Sequence, residues 1–91
     1  CVSDPAAFGA LSECQRRGVQ VPEDIAIAGF GAYEISEVCV PPLTTIDPQS
    51  YEIGRETARM ILRILNGEEQ AAVKSHVEIA TSLVVRQSTG G

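Results

Sequence analysis

The spacing of apolar positions changes along this chain, and each change marks an element. Ala7, Phe8, Leu11 and Cys14 fall three and four residues apart. Asp4-Pro5 supplies an N-cap and first-turn signal and Gly18 a stop, which predicts a helix over residues 5–17. Val19-Gln20-Val21-Pro22 makes a turn. Ile25-Ala26-Ile27-Ala28 is a continuous apolar run too short for a helix, the pattern of a strand covered on both faces. A short helix over 32–39 and a second short strand, Leu43-Thr44-Thr45-Ile46, come next.

Asp47-Pro48 repeats the cap-and-proline signal. Gly54, Thr57, Ala58, Ile61, Leu62 and Leu65 then form an apolar face that Gly67 ends, predicting a helix over 48–66. Its other side, with Glu52, Arg55, Glu56, Arg59 and Arg63, reads as solvated. Ile53, Met60 and Ile64 widen the apolar stripe beyond what one sheet needs, so a second contact surface is open to it. Gly67 to Lys74 reads as a surface loop. Val77, Ile79, Thr81, Leu83 and Val85 alternate with Glu78, Ala80 and Ser82, the period of a strand with one wetter face near a sheet edge. Gly90-Gly91 reads as a frayed tail. Helices alternating with short strands predict the α/β class, a parallel sheet with flanking helices.

Composition narrows the function. The chain has 91 residues, enough for one small domain that buries only about 60% of its unfolded surface. It opens on Cys1-Val2-Ser3-Asp4 and its only methionine is Met60, so the natural start is expected upstream. Seven basic residues against 12 acidic ones give a formal charge of -5, with Lys74 the single lysine, a balance that repels nucleic acid. Nothing approaches the roughly 18 consecutive apolar residues of a membrane span. Cys1, Cys14 and Cys39 are an odd set without CxxC spacing, which argues against a metal site or a disulfide framework and fits a reducing cytoplasm. They read as small buried hydrophobes. No cofactor is implied.

Two stretches, Arg17-Gly18-Val19-Gln20-Val21-Pro22-Glu23-Asp24-Ile25-Ala26-Ile27-Ala28-Gly29-Phe30 and Pro41-Pro42-Leu43-Thr44-Thr45-Ile46, stand eleven residues apart in a fixed order. Together, and with Ser3-Asp4 before them and Arg86-Gln87-Ser88-Thr89 after, they resemble the C-terminal core of the lactose-repressor (LacI/GalR) family of transcription regulators. The run Ser12-Glu13-Cys14-Gln15-Arg16-Arg17-Gly18 resembles the gluconate-repressor branch. The resemblance implies a periplasmic-binding-protein-like (type I) fold, with residues 1–91 as the C-terminal portion of an effector-binding and dimerisation domain. The DNA-binding headpiece and the N-terminal subdomain would lie outside this chain. It implies a sugar or sugar-acid effector, a cytoplasmic homodimer, and operator DNA bound only through that headpiece, with no membrane partner. The rival with the same fold is the C-terminal part of an exported periplasmic sugar-binding protein that serves a transporter. The unpaired cysteines and the Arg86-Gln87-Ser88-Thr89 ending favour the repressor.

In open parallel sheets ligands bind beyond the carboxyl ends of the strands. Ser3, Asp4, Phe30, Gly31, Pro48 and Ser50 stand there, and the resemblance points to the same places in the effector cleft. Ser3 reads either as a polar ligand contact or as a turn residue, and Asp4 as an N-cap or a contact. Gly29 reads as a point where backbone approaches a ligand. Gly31 departs from the family's common Gly-Phe-Asp or Gly-Tyr-Asp, whose carboxylate holds sugar hydroxyls. An anionic effector would explain its loss, since a carboxylate there would repel it; so would drift or a different sugar pose. Arg16 and Arg17 complement the dipole at their helix end and face water. Cys39 and Val40, in the segment Ser36 to Pro42, read as dimer interface or as ordinary core. His76 has no partner at metal or triad spacing. No Gly-x-Ser-x-Gly elbow or phosphate loop is present, so catalysis finds no residue set.

Overall fold

The computed structural model describes residues 1–67 and 76–91. It divides into two compact units, Cys1–Pro48 with Thr81–Gly91, and Gln49–Ala80. The loop expected from Gly67 to Lys74 lies, beyond Gly67 itself, outside the described residues.

In the first unit, α1 (Asp4–Arg17) begins one residue earlier than the sequence signal, because Ser3 rather than Asp4 is the N-cap. The Ser3 hydroxyl accepts from the Ala6 amide at 3.2 Å, and Pro5 sits in the first turn, where its missing N–H costs nothing. Gly18 ends the helix as expected: at φ 73° it lets its own N–H reach the Gln15 carbonyl and the Val19 N–H reach that of Cys14. The buried stripe is Asp4, Ala7 and Leu11, with Cys14 half-buried. Phe8, expected on that stripe, is instead 42% exposed, one residue round the helix from Ala7.

A compact core of Ala7, Leu11, Ile27, Cys39 and Leu43 joins α1 to the segment after it, with Ala10, Cys14 and Val21 packed against it. The strand expected at residues 25–28 is not formed: the Ile25 amide closes a turn to the Gln20 carbonyl, and the one ladder contact is a parallel bridge from Ala28 to Thr44. Ile25 is half-exposed, so covering on both faces is not achieved among the described residues. The short helix expected over 32–39 is one turn, α2 (Ile35–Val38). The second expected strand is displaced by two residues at its start and is β1 (Thr45–Asp47).

Pairing departs from the all-parallel expectation. β1 pairs antiparallel with β2 (Ser82–Val84), in the register Thr45–Val84, Ile46–Leu83 and Asp47–Ser82. Strand direction is not encoded in apolar alternation. Here it is set by the segment C-terminal to β2, which runs back past Thr44 and Leu43 and is fastened there. The Arg86 amide donates to Thr44 Oγ1 at 2.8 Å, and the Arg86 guanidinium donates to the Leu43 carbonyl at 2.9 Å and Ser36 Oγ at 2.8 Å. Buried Ser88, in a 3-10 turn over Gln87–Thr89, receives the Thr44 amide on its hydroxyl at 2.8 Å and donates that hydroxyl to the Ile27 carbonyl. Its own backbone bonds Ile27 N–H at 3.1 Å and the Pro42 carbonyl at 3.0 Å. The C-terminal segment thus takes the place of a further strand beside Ile27 and Leu43.

The second unit is built on α3 (Ser50–Leu65). Its start was expected at Pro48. Instead Gln49, in the left-handed region at φ 61°, precedes the first helical residue, and Asp47 is the last residue of β1, with Pro48 directly after it. Gly67, at φ 80°, stands just beyond the helix end as expected. The solvated side carries the pairs Glu52–Arg55 and Glu56–Arg59. Of the strand expected over Val77–Val85, only Ser82–Val84 is laddered, because β1 offers three residues to pair with. Val77 and Ile79 line a shallow groove of about 270 Å³ with Ile53, Glu56, Thr57 and Met60 of α3. The rest of the apolar stripe, Ile61, Leu62, Ile64 and Leu65, is about half or more exposed.

Ser88→Ala in the intact protein would leave the buried Thr44 N–H and Ile27 carbonyl short of a partner. We expect a loss of about 1–3 kcal/mol in denaturant unfolding, with Ser12→Ala, a surface hydroxyl on α1, near neutral.

Candidate functional site

The turn Gly29-Phe30-Gly31-Ala32-Tyr33 follows residues 25–28 and is held by three sets of ties from two segments, residues 44–46 and the start of α1. From β1 and the residue before it, the Thr44 carbonyl accepts from the Gly29 amide at 2.9 Å and the Ile46 carbonyl from the Gly31 amide at 2.8 Å. From α1, the Asp4 amide donates to the Phe30 carbonyl at 3.0 Å. The third tie is the Asp4 side chain. It is fully buried, and both its oxygens are used: Oδ2 accepts from the Tyr33 amide at 2.7 Å and Oδ1 from the Thr45 hydroxyl, also at 2.7 Å. Thr45 Oγ1 in turn accepts from the Ala32 amide at 3.2 Å.

A buried carboxylate is costly unless every lone pair finds a donor. This one is met by a backbone amide, a hydroxyl and its place in the first turn of α1, where the helix dipole favours negative charge. It explains Gly29. A Cβ there would overlap Asp4 Oδ1 and come within 3.2 Å of the Asp4 Cα, so the close approach that the glycine permits is to Asp4, not to a ligand. The same clamp holds two positive φ angles in succession, 118° at Gly31 and 52° at Ala32, the second a conformation that costs an L-residue of order 1 kcal/mol.

The structure therefore brings Ser3, Asp4, Phe30 and Gly31 together at one end of the first unit. Pro48 follows β1 directly, two residues after the Ile46 carbonyl that holds Gly31. Ser50 opens α3 in the second unit. Asp4 is a linchpin beneath the turn rather than a group on its surface; Ser3 is half-buried and serves as the helix cap; Phe30 is 40% exposed. Tyr33, which sequence reasoning passed over, belongs to the same turn. It is 53% exposed, and its ring lies where a Gly31 side chain would project. The signal that could have found it is the Asp4 side chain, but a contact 29 residues apart in sequence leaves no local trace.

The arginines of the first unit are already engaged. Arg16 and Arg17 both reach Glu13 on α1 and are exposed, as expected, and their hydrogen bonds hold the Glu13 carboxyl below its ordinary value. Arg86 is tied to Ser36, Leu43 and, at 3.7 Å, Glu37. Of the two interface candidates, Cys39 takes the core reading, its thiol near the Ser36 and Pro41 carbonyls, while Val40 beside it is 73% exposed. His76 is exposed, 3.2 Å from Glu78. Among the described residues no His, Cys, Asp or Glu cluster could hold a metal, and no helix is long and apolar enough to cross a membrane.

Residues 1–89 match the family model of the periplasmic binding protein-like domain. Over 89 residues the chain is 40% identical to the HTH-type transcriptional repressor CytR of Escherichia coli (strain K12), a match that covers 98% of this chain and 26% of that protein. It spans about a quarter of that relative's length. Its fold is similar to that of a LacI family transcriptional regulator from Silicibacter pomeroyi, with TM-score 0.83 and 38% identity over 99% of this chain and 31% of that one. It is also similar to the transcription regulator GntR from Chromobacterium violaceum, with TM-score 0.87 and 37% identity over 100% and 33%.

Asp4→Asn keeps the shape of the clamp but turns an NH₂ toward one of its two donors. Stability of the intact protein is expected to fall by roughly 2 kcal/mol in chemical denaturation, and Thr45→Val in the Asp4→Asn background to add much less than it does alone, because the two residues share one network.

Proposed function

The chain belongs to the periplasmic binding protein-like domain family and shares the fold of LacI-family regulators, and from this we propose that it is part of the effector-binding and dimerisation region of a DNA-binding transcriptional repressor. The observation that carries the reading is the clamped turn Gly29–Tyr33. The buried Asp4 fixes the backbone of the turn on which Phe30 and Gly31 stand, and so makes a rigid lip there.

In this reading Ser3, Phe30, Gly31 and Pro48 of the first unit contribute to a cleft that takes a small hydroxylated ligand, with Asp4 as its support. Ligand bound between two subdomains favours one of two hinge states, and the state selected decides whether paired headpieces outside this chain hold operator DNA. The balance of -5 fits a region that does not itself touch DNA. The homodimer would use exposed Phe8 and Val40, with Cys39 packed behind Val40. A cytoplasmic protein follows from the repressor role, and no chemistry beyond binding is asked of these residues. Relatives described as repressors favour this over an exported binding protein.

The effector is a sugar acid of the gluconate type. Two features support it: the run Ser12–Gly18 resembles the gluconate branch, and Gly31 leaves the lip without a carboxylate that would repel an anion. Isothermal titration calorimetry of the intact protein should give gluconate at least tenfold higher affinity than glucose or galactose, with the same sample sedimenting as a dimer. Preference for a neutral hexose would reject the sugar acid, and a monomer would reject the dimer.

A further inference from the structure

Gly31 is more than an absent side chain. At φ 118° it occupies a backbone region that residues with a Cβ rarely enter, and the place of that Cβ is taken by the ring of Tyr33 two residues on. A Cβ built on Gly31 would overlap Cε1 of the ring and lie 2.7 Å from Cδ1 and 3.6 Å from Cζ. The turn thus discards one side chain and folds another over the vacated spot.

The delivery of that ring is rigid. The Tyr33 amide is bound by the fully buried Asp4 carboxylate, the Ala32 amide by Thr45 Oγ1, and the Gly31 amide by the Ile46 carbonyl, so three consecutive residues are pinned by backbone donors. The ring itself is only half-covered, at 53% exposure, and Phe30 on the other side of Gly31 is 40% exposed. Apolar side chains of this size are normally withdrawn from water, and a fixed backbone that keeps two of the chain's four aromatics at the tip of one turn is a surface prepared for a ligand. The chemistry such a surface offers is specific. An aromatic face accepts the C–H side of a carbon chain or ring, and a phenol, unlike a carboxylate, can donate a hydrogen bond to an anionic oxygen.

We propose that Tyr33 determines effector specificity: its ring supports the carbon skeleton of the ligand and its hydroxyl donates to a carboxylate oxygen of an open-chain sugar acid. This rests on the effector-site reading above and adds to it the residue that selects for the anion. Tyr33 is a contact residue in this role, while Asp4 and Thr45 act through it as positioning residues.

The test is calorimetry of the intact protein with gluconate and with glucose, for the native chain, Tyr33→Phe and Tyr33→Ala. Tyr33→Phe keeps the ring against Gly31 and removes only a hydroxyl at a half-exposed position, so its melting temperature should match the native protein's. We expect it to weaken gluconate about tenfold, the scale of one hydrogen bond to a charged group, and to change glucose by less than threefold. Tyr33→Ala should weaken both. Gluconate affinity within twofold of native in Tyr33→Phe overturns the proposal, as does an equal loss for both ligands, which would make the role structural. A native protein that binds gluconate while Tyr33→Phe does so equally well leaves the effector reading standing and removes this inference alone. A native protein that binds neither ligand removes both.

Discussion

A single buried carboxylate, that of Asp4, organises this chain. A carboxyl group with no exposed surface has to be met by hydrogen-bond partners, and the partners of this one fix pieces of backbone. Thr45 brings β1 against the start of α1, and the Tyr33 amide closes the turn over both. The glycine at position 29, the reversed backbone at Gly31 and Ala32, and the placement of the Tyr33 ring all follow from where that carboxylate sits. Strain of this kind persists only where surroundings over-determine it, and here two separate segments, the start of α1 and residues 44–46, do so.

The neighbouring threonine shows how the rest of the unit is tied to the same strand. Successive residues of an extended chain point to opposite faces, so Thr45 turns to Asp4 while Thr44 turns to the C-terminal segment. Thr44 Oγ1 meets the Arg86 amide and the Thr89 hydroxyl, and the Thr44 amide meets Ser88. Two adjacent hydroxyls thereby join the first helix, the turn and the last residues of the chain into one hydrogen-bonded unit. That is the physical content of the Leu43-Thr44-Thr45-Ile46 and Arg86-Gln87-Ser88-Thr89 stretches, and it accounts for their occurring together.

Local signals were legible in the sequence and distant ones were not. The Gly18 stop, the long amphipathic helix and the family itself could be read directly, because caps, periods and motif spacing are properties of neighbouring residues. Ser3 and Asp4 exchanged roles because both are good caps and only burial separates them: Ser3 is left to cap the helix while Asp4 is drawn inward by partners 29 and 41 residues away. The direction of β2 was invisible for the same reason, since it depends on where Arg86 and Ser88 find their acceptors. The helix start at Ser50 instead of Pro48 reflects β1 claiming Asp47. In the candidate site, Phe30 and Gly31 could be named from their place after the apolar run. Tyr33 could not, since its position depends on the reversed backbone at Gly31 and Ala32.

A ligand site that discriminates among small polyhydroxylated molecules needs contact groups held to within a fraction of an ångström, and loops do not usually provide that. This chain pins the turn Gly29–Tyr33 from beneath with a carboxyl group that is itself buried. The claim is most directly tested by amide hydrogen exchange of the intact protein, resolved residue by residue. If Asp4 holds the turn, the Tyr33 amide, on a half-exposed residue in a loop, exchanges as slowly as the core amides of Ile27 and Leu43. Exchange of the Tyr33 amide at the rate of the exposed Val2 amide would contradict the account.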